Sequence, residues 1–131
     1  MKAVDTNVLI RYLVQDDPVQ GMKASAFIES AVEAGEPVFI GNIVLCEMIW
    51  VLDSAYDYAK TDLIDCLDKI LQTAGFNFES KDLVRAALEE FRNARVDFSD
   101  CLIGRIHQSS GCATTISFDI ALRKLSTFQM L

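Results

Sequence analysis

Apolar residues along this chain fall into short runs and into longer segments with helical spacing. Five short runs, each bounded by polar or turn-forming residues, predict strands at 2–5, 37–41, 76–78, 112–117 and 127–130. The longer segments between them carry apolar residues every three or four positions, which predicts amphipathic helices. Strands that alternate with helices predict an α/β fold: a three-layer α/β/α sandwich with a central, mainly parallel sheet.

Residues with capping side chains predict where the helices begin. Thr6 and Asn7 can cap the first helix, and Asp17 followed by proline can begin the second. Asn42 is expected to cap the third helix. The remaining helices are predicted to start at Thr61, at Ser80 and at Asp97 or Ser99, with a short helix over 120–125.

The length and composition of the chain favour one small domain. A length of 131 residues predicts a single domain over 1–131. Hydrophobic residues make up 51% of it, and this surplus hints at a partner or a homodimer. No apolar run approaches the ~20 residues of a membrane span. Since Asp5 comes too early for a signal peptide, we expect a cytoplasmic protein without a membrane partner.

Cysteines and net charge narrow the possible chemistry. The four cysteines form no Cys-x-x-Cys pair and lie among apolar residues, which predicts buried, reduced thiols. The only histidine is His107, so a zinc site of paired cysteine and histidine has little support, and His107 is read as structural or exposed. A net charge of −7 is unusual for a protein that coats nucleic acid. Any contact with nucleic acid must therefore be local or bridged by metal ions.

Several acidic residues are predicted to lie at one edge of the sheet. Asp5 ends the first strand, Asp119 follows the fourth, and Glu47 lies early in the helix after the second. Asp97 and Asp100 begin the helix that leads into the fourth strand. Ligands of parallel α/β sheets bind outside the carboxyl ends of the strands. These five acids are therefore candidates for a shared binding site.

Each of these acids also has an ordinary structural interpretation. Glu47 stands in a long apolar run and would be costly to bury unpaired, but it can also face solvent. Asp97 and Asp100 form a near capping box, and Asp5 and Asp119 are possible N-caps. The case for function therefore depends on their convergence.

Clustered carboxylates favour a hard divalent cation. Without a cation they repel one another and have raised pKa values. Mg²⁺ prefers oxygen ligands and can activate water for attack on a phosphoryl group. Asn7 and Ser117 are candidates for orienting the ligands or a bound water, and Arg11 for holding a phosphate. Asn7 and Ser117 could equally serve as cap or turn residues, and Arg11 could simply be solvated.

At these residues the sequence resembles the PIN-domain family, and within it the VapC-type toxins of toxin–antitoxin pairs. The resemblance covers the whole chain, with Ser117 where threonine is commoner and Ile120 where a basic residue is frequent. Four segments in the family's order carry it: Val4–Ile10, Glu47 with Val51-Leu52, Asp97–Ile103, and Ser117-Phe118-Asp119.

The resemblance implies an endoribonuclease that depends on Mg²⁺ or Mn²⁺ and leaves a 5′-phosphate and a 3′-hydroxyl. It implies that Asp5, Glu47, Asp100 and Asp119 are the catalytic, metal-binding residues. It also implies a homodimer, an RNA substrate and inhibition by a cognate antitoxin protein. The role could be that of a toxin or of a housekeeping nuclease.

Three alternatives remain. The first is a catalytically inert PIN-type scaffold or binding module, which four intact acids disfavour. The second is a phosphoacceptor receiver domain, but residues 114–117 lack the lysine that it needs late in the sheet. The third is a phosphatase with an Asp nucleophile, which would need an acid where Asn7 stands.

Overall fold

A computed structural model describes all residues, 1–131, as two compact units, 1–80 and 81–131. The first unit contains β1 (Lys2–Ala3), α1 (Thr6–Val14), α2 (Pro18–Glu33), β2 (Val38–Ile40), α3 (Asn42–Ser54), α4 (Lys60–Gln72) and β3 (Phe76–Phe78). The second contains α5 (Lys81–Asn93), α6 (Phe98–Ser109), β4 (Thr115–Ser117), a 3₁₀ helix (Ile120–Lys124) and β5 (Phe128–Met130). The single-domain organisation stays a prediction.

All strand pairs in the structure are parallel. In the first unit the sheet order is β1-β2-β3, and in the second β4 pairs with β5. The α/β class with parallel strands, predicted from the alternation of apolar patterns, is confirmed. Four strands are shorter than predicted, and β3 has the predicted bounds, 76–78. The fourth begins at Thr115 rather than Cys112, because it pairs only with the three residues of β5.

Each unit has its own buried apolar contacts. In the first unit the fully buried side chains include Leu9, Ile28, Ile40, Leu45, Leu52 and Leu67. In the second, Phe91 of α5 meets Phe98 of α6 edge to face, with ring centroids 6.0 Å apart. This contact anchors the first turn of α6, the turn that carries Asp100.

The beginning of α3 differs from the prediction. Gly41, not Asn42, is the N-cap, and it provides no side-chain hydrogen bond. Asn42 is the first helical residue and is buried, and its backbone N–H donates to Glu79 Oε1 at 3.0 Å. Its Nδ2 donates to Ser80 Oγ at 3.2 Å. The cap of α3 therefore comes from the segment after β3, which a local sequence pattern does not reveal.

This remote cap predicts a measurable loss of stability. Glu79→Ala should lower the free energy of unfolding by about 1 kcal/mol, because the N–H of Asn42 loses its acceptor. Glu79→Gln should cost less than half as much, since its amide oxygen can still accept. Urea denaturation of both variants measures the difference. Equal losses for alanine and glutamine would show that the hydrogen bond is not what stabilises the helix end.

The cysteines only partly follow the prediction. All four are free thiols, as expected, and Cys101 is buried. Cys46 and Cys66 are half-buried, and burial raises the pKa of the Cys66 thiol to about 11. Cys112 is exposed, so the prediction of burial is wrong there, because the residue precedes β4 rather than forming part of it. No helix has both the length and the apolar content that a membrane span requires.

Candidate functional site

Asp5 is fixed at the beginning of α1. It is the N-cap, and its Oδ1 accepts a hydrogen bond from the backbone N–H of Val8 at 3.0 Å. The prediction that Thr6 and Asn7 cap this helix is therefore wrong, because the chain already turns into the helix at Asp5. The cap uses one carboxylate oxygen of an exposed residue and holds the side chain in a fixed orientation.

Glu47 faces solvent, so the alternative of an exposed Glu on a largely buried helix is what the structure shows. The cost of burying an unpaired carboxylate therefore does not arise, because the buried neighbours Leu45, Met48 and Ile49 lie away from Glu47 on α3. Thr6 Oγ1 donates to Glu47 Oε1 at 3.1 Å. The residue that follows Asp5 in the chain thus contacts Glu47, a role that the prediction of a capping Thr6 does not include.

A cavity of about 660 Å³ lies beside β1, α1 and α2. Asp5 and Asn7 line it together with three cationic side chains, those of Lys2, Arg11 and Lys23. Asn7 is exposed there, next in line to Thr6. In a protein with a net charge of −7, this lining is a local concentration of positive charge.

Arg11 is held by three polar partners. Its Nε donates to Gln20 Oε1 at 2.9 Å, and its Nη1 donates to Asp16 Oδ1 and to the hydroxyl of Tyr56, each at 3.1 Å. The Tyr56 hydroxyl donates to Asp16 Oδ2 at 2.9 Å. The hydrogen bond with Tyr56, aided by the charge of Asp16, raises the pKa of Arg11. Of the guanidinium nitrogens, only Nη2 makes none of these bonds.

Asp100 lies among carboxylates at the start of α6. Burial raises its pKa, and the negative charges of Asp97 and Asp119 raise it further. The raised pKa predicted for crowded carboxylates is confirmed at this residue. Asp97 occupies the N-cap position of α6, but its side chain makes no capping hydrogen bond. The predicted capping box is therefore absent, and Asp97 acts on Asp100 through its charge.

Asp119 is positioned by its own turn. Its backbone N–H donates to Ser117 Oγ at 3.0 Å, and its Oδ1 accepts from the N–H of Ala121 at 3.0 Å. Ser117 therefore fixes the backbone of Asp119 rather than its carboxylate. His107 is exposed, and its Nδ1 lies 2.8 Å from Thr115 Oγ1, in agreement with a structural role.

Within residues 1–80, Thr6, the residue after Asp5, donates a hydrogen bond to Glu47. Within residues 81–131 the structure places Asp97, Asp100 and Asp119 in one electrostatic environment. No group of three or more His, Cys, Asp or Glu side chains is close enough to hold a metal ion. The carboxylate oxygens of these residues are ligands that fit a hard cation. The charges that shift the pKa of Asp100, those of Asp97 and Asp119, are both negative. The assignment of metal ligands stays a prediction.

Comparison with known proteins gives an independent view of the chain. The sequence model of the PIN domain matches residues 2–127. A protein described as "VapC ribonuclease" from Aquifex aeolicus (strain VF5) is 28% identical over 126 residues, which cover 95% of this chain and 92% of that protein. No solved structure matches the chain significantly.

Proposed function

This chain belongs to the PIN domain family, and from that premise we propose that it is a metal-dependent endoribonuclease. The observation that carries the proposal is the environment of Asp100, whose pKa is raised by burial and by two neighbouring carboxylates. A structural carboxylate is usually paired with a cation or a hydrogen-bond donor. The similarity to a VapC ribonuclease supports RNA as the substrate.

The metal would be Mg²⁺ or Mn²⁺, and the residues proposed to hold it are Asp5, Glu47, Asp100 and Asp119. When bound, such an ion activates a water molecule and stabilises negative charge on the phosphoryl oxygens. Hydrolysis of the phosphodiester would leave a 5′-phosphate and a 3′-hydroxyl. The donor chemistry fits, because carboxylate oxygens are the ligands that these cations prefer.

The other polar residues would orient these ligands and the substrate. Thr6 holds one oxygen of Glu47, and Ser117 holds the turn on which Asp119 lies. Asn7 is proposed to position Asp5 or a bound water. Arg11 could reach a phosphate only through Nη2, since its other nitrogens are already bonded. Asp97 is proposed to raise the affinity of Asp100 for a cation through its charge.

Lys2, Arg11 and Lys23 are proposed to contact the phosphates of the RNA near Asp5, which their shared lining of one cavity supports. The acidic net charge of the chain is compatible with this proposal, because the proposed contact is local. We further propose the role of a toxin that acts on RNA in the cytoplasm and is inhibited by a cognate antitoxin protein. A short reading frame beside the gene would favour the toxin over a housekeeping nuclease.

Association into a homodimer is also part of the proposal. Val19 and Met22 lie one turn apart on α2 and are 63% and 72% exposed. An apolar pair of this kind favours burial against another protein surface. Sedimentation at tens of micromolar (on the order of the concentrations at which weak dimers form) should show a dimer. Met22→Lys should weaken it, and a monomer in the parent protein would contradict this part of the proposal.

The proposed activity is tested by incubating the purified protein with total cellular RNA. Cleavage should occur with Mg²⁺ or Mn²⁺ and stop when a chelator is added, and the new 5′ ends should carry phosphate. Asp5→Asn and Glu47→Gln should each abolish cleavage while leaving the circular-dichroism spectrum unchanged. RNA that binds without being cut, at saturating Mn²⁺, would favour the alternative of an inert scaffold.

A further inference from the structure

The solvent-facing side of α3 carries two large apolar side chains around Glu47. Ile43 is 76% exposed and Trp50 is 70% exposed, and they lie two helical turns apart on nearly the same face. Glu47 lies between them and is also exposed. Trp50 is the only tryptophan of the chain. An indole left in water beside a proposed catalytic carboxylate requires an explanation.

The charges of α3 limit what this face can bind. The helix contains no Lys, Arg or His, and Asp53, one turn after Trp50, adds a second exposed carboxylate. Such a face repels the phosphate backbone of a nucleic acid. The indole offers a flat, polarisable surface instead, which suits the neutral, planar face of a nucleobase.

We propose that Trp50 stacks on an unpaired base of the RNA substrate and so holds that base next to Glu47. This inference rests on the proposed ribonuclease function. Trp50 follows Glu47 by three positions, so their Cβ atoms are about 5–6 Å apart. A neutral base on the indole therefore lies within one helical turn of the carboxylate. Bases inside an A-form duplex are already stacked, so this contact selects single strands and loops.

A second copy of the chain would bind this face of α3 less favourably than an RNA base. A two-fold interface centred here would bring two Glu47 carboxylates together in a desolvated contact. Neither copy has a cation on α3 to neutralise them. Burial of unpaired charges of the same sign is strongly unfavourable.

Fluorescence of Trp50 tests the stacking directly, because no other tryptophan contributes. The parent protein is held in chelator at low salt and titrated with a pool of ten-nucleotide single-stranded RNAs. The emission should be quenched as RNA binds. A duplex RNA of the same length and inorganic polyphosphate, which offer no free base face, should leave it nearly unchanged. Equal quenching by polyphosphate, or no quenching by single strands, would overturn the proposal.

Substitutions separate stacking from simple apolar contact. Trp50→Leu should raise KM for a single-stranded substrate roughly tenfold, since stacking on one aromatic residue contributes on this order. Trp50→Phe should recover most of that loss, because it keeps a ring. Leu131→Ala, which removes another exposed apolar side chain, is the control and should leave KM unchanged. Equal KM values for the leucine and phenylalanine variants would contradict stacking.

The outcomes distinguish this inference from the function on which it rests. If the parent protein cuts RNA and Trp50→Leu cuts it with an unchanged KM, the stacking proposal fails and the ribonuclease stands. If the parent neither binds nor cuts RNA, both fail. If Trp50→Leu converts a dimer of the parent into a monomer, the face is a protein interface and the stacking proposal is wrong.

Discussion

Replacing Asp100 with asparagine is expected to reduce metal-dependent RNA cleavage by about 1000-fold or more, with the fold intact. Asparagine keeps the size of the side chain but removes the charge that would hold the cation. A metal ion contributes several kcal/mol to stabilising a phosphoryl transition state, and about 4 kcal/mol corresponds to 1000-fold in rate. The rate constant for cleavage of a single-stranded RNA at saturating Mn²⁺ measures the effect.

Asp97→Asn is the matched control for this prediction. The negative charge of Asp97 raises the pKa of Asp100, but Asp97 is not proposed as a metal ligand. Its loss should lower the cleavage rate by no more than roughly tenfold, a small effect by comparison. If Asp97→Asn is as damaging as Asp100→Asn, the roles of the two residues are wrongly assigned. Full activity of Asp100→Asn would remove Asp100 from the active site.

Gly104→Ala is expected to destabilise the protein by about 2 kcal/mol, although alanine is the better helix former. Gly104 is buried in α6 and faces the residues that begin β5. An added methyl group would overlap the hydroxyl oxygen of Thr127 and lie 2.8 Å from Phe128 Cε2. Both neighbours are themselves buried and have little room to move. Gly104→Val should be worse, and urea denaturation at 25 °C measures both.

A second glycine and a second-site change provide the controls. Gly21 is also buried in a helix, but its added methyl would lie closest to Gln15 Oε1, 2.7 Å away at the end of a long side chain, and 3.5 Å from the backbone oxygen of Arg11. Because the Gln15 side chain can shift by giving up its bonds to Tyr12 and Ser25, Gly21→Ala should cost clearly less than Gly104→Ala. The hydroxyl of Thr127 is buried without a hydrogen-bond partner, so Thr127→Ala should partly restore Gly104→Ala. Additive losses in the double variant would exclude the proposed overlap.

The sequence predicted the class of fold because hydrophobic periodicity is a local signal. Asp17 before Pro18 begins α2 as expected, with its side chain accepting from two backbone N–H groups. Local periodicity does not encode contacts between residues that are distant in sequence. The cap of Asn42 comes from Glu79, 37 positions later, and the close approach of Gly104 to Thr127 leaves no mark in the local pattern.

In the candidate site, too, local patterns predicted the positions of the acids but not the contacts that depend on packing. The acids were identified because strand ends and helix starts can be located from patterns, and Asp5, Asp100 and Asp119 do lie at such positions. The partners of these groups were missed, since they depend on packing. The local sequence predicts Thr6 only as a cap, whereas in the structure it donates to Glu47. Arg11 contacts Tyr56, which is 45 positions away in the sequence, and Asp16, which is 5 positions away.

The raised pKa of Asp100 determines how stability depends on pH. Because the folded chain holds this proton more tightly than the unfolded chain, the metal-free protein loses stability as pH rises from about 3.8 through the raised pKa. The deficit then persists at neutral pH. Asp100→Asn should therefore melt at a higher temperature than the parent at pH 7 in chelator. At pH 3, where the parent carboxylate is protonated in both states, the difference should shrink.

Asp5, Glu47, Asp100 and Asp119 are proposed to hold a divalent cation, and thermal melting with and without Mn²⁺ at pH 7 tests this most directly. Saturating metal should raise the melting temperature of the parent, with a stabilisation of about 2.7 kcal/mol at a hundredfold excess over the dissociation constant. Asp97→Asn should keep most of that rise, and Asp100→Asn should lose most of it. Equal rises in the parent and in Asp100→Asn, or no rise in the parent at saturating Mn²⁺, would contradict the claim.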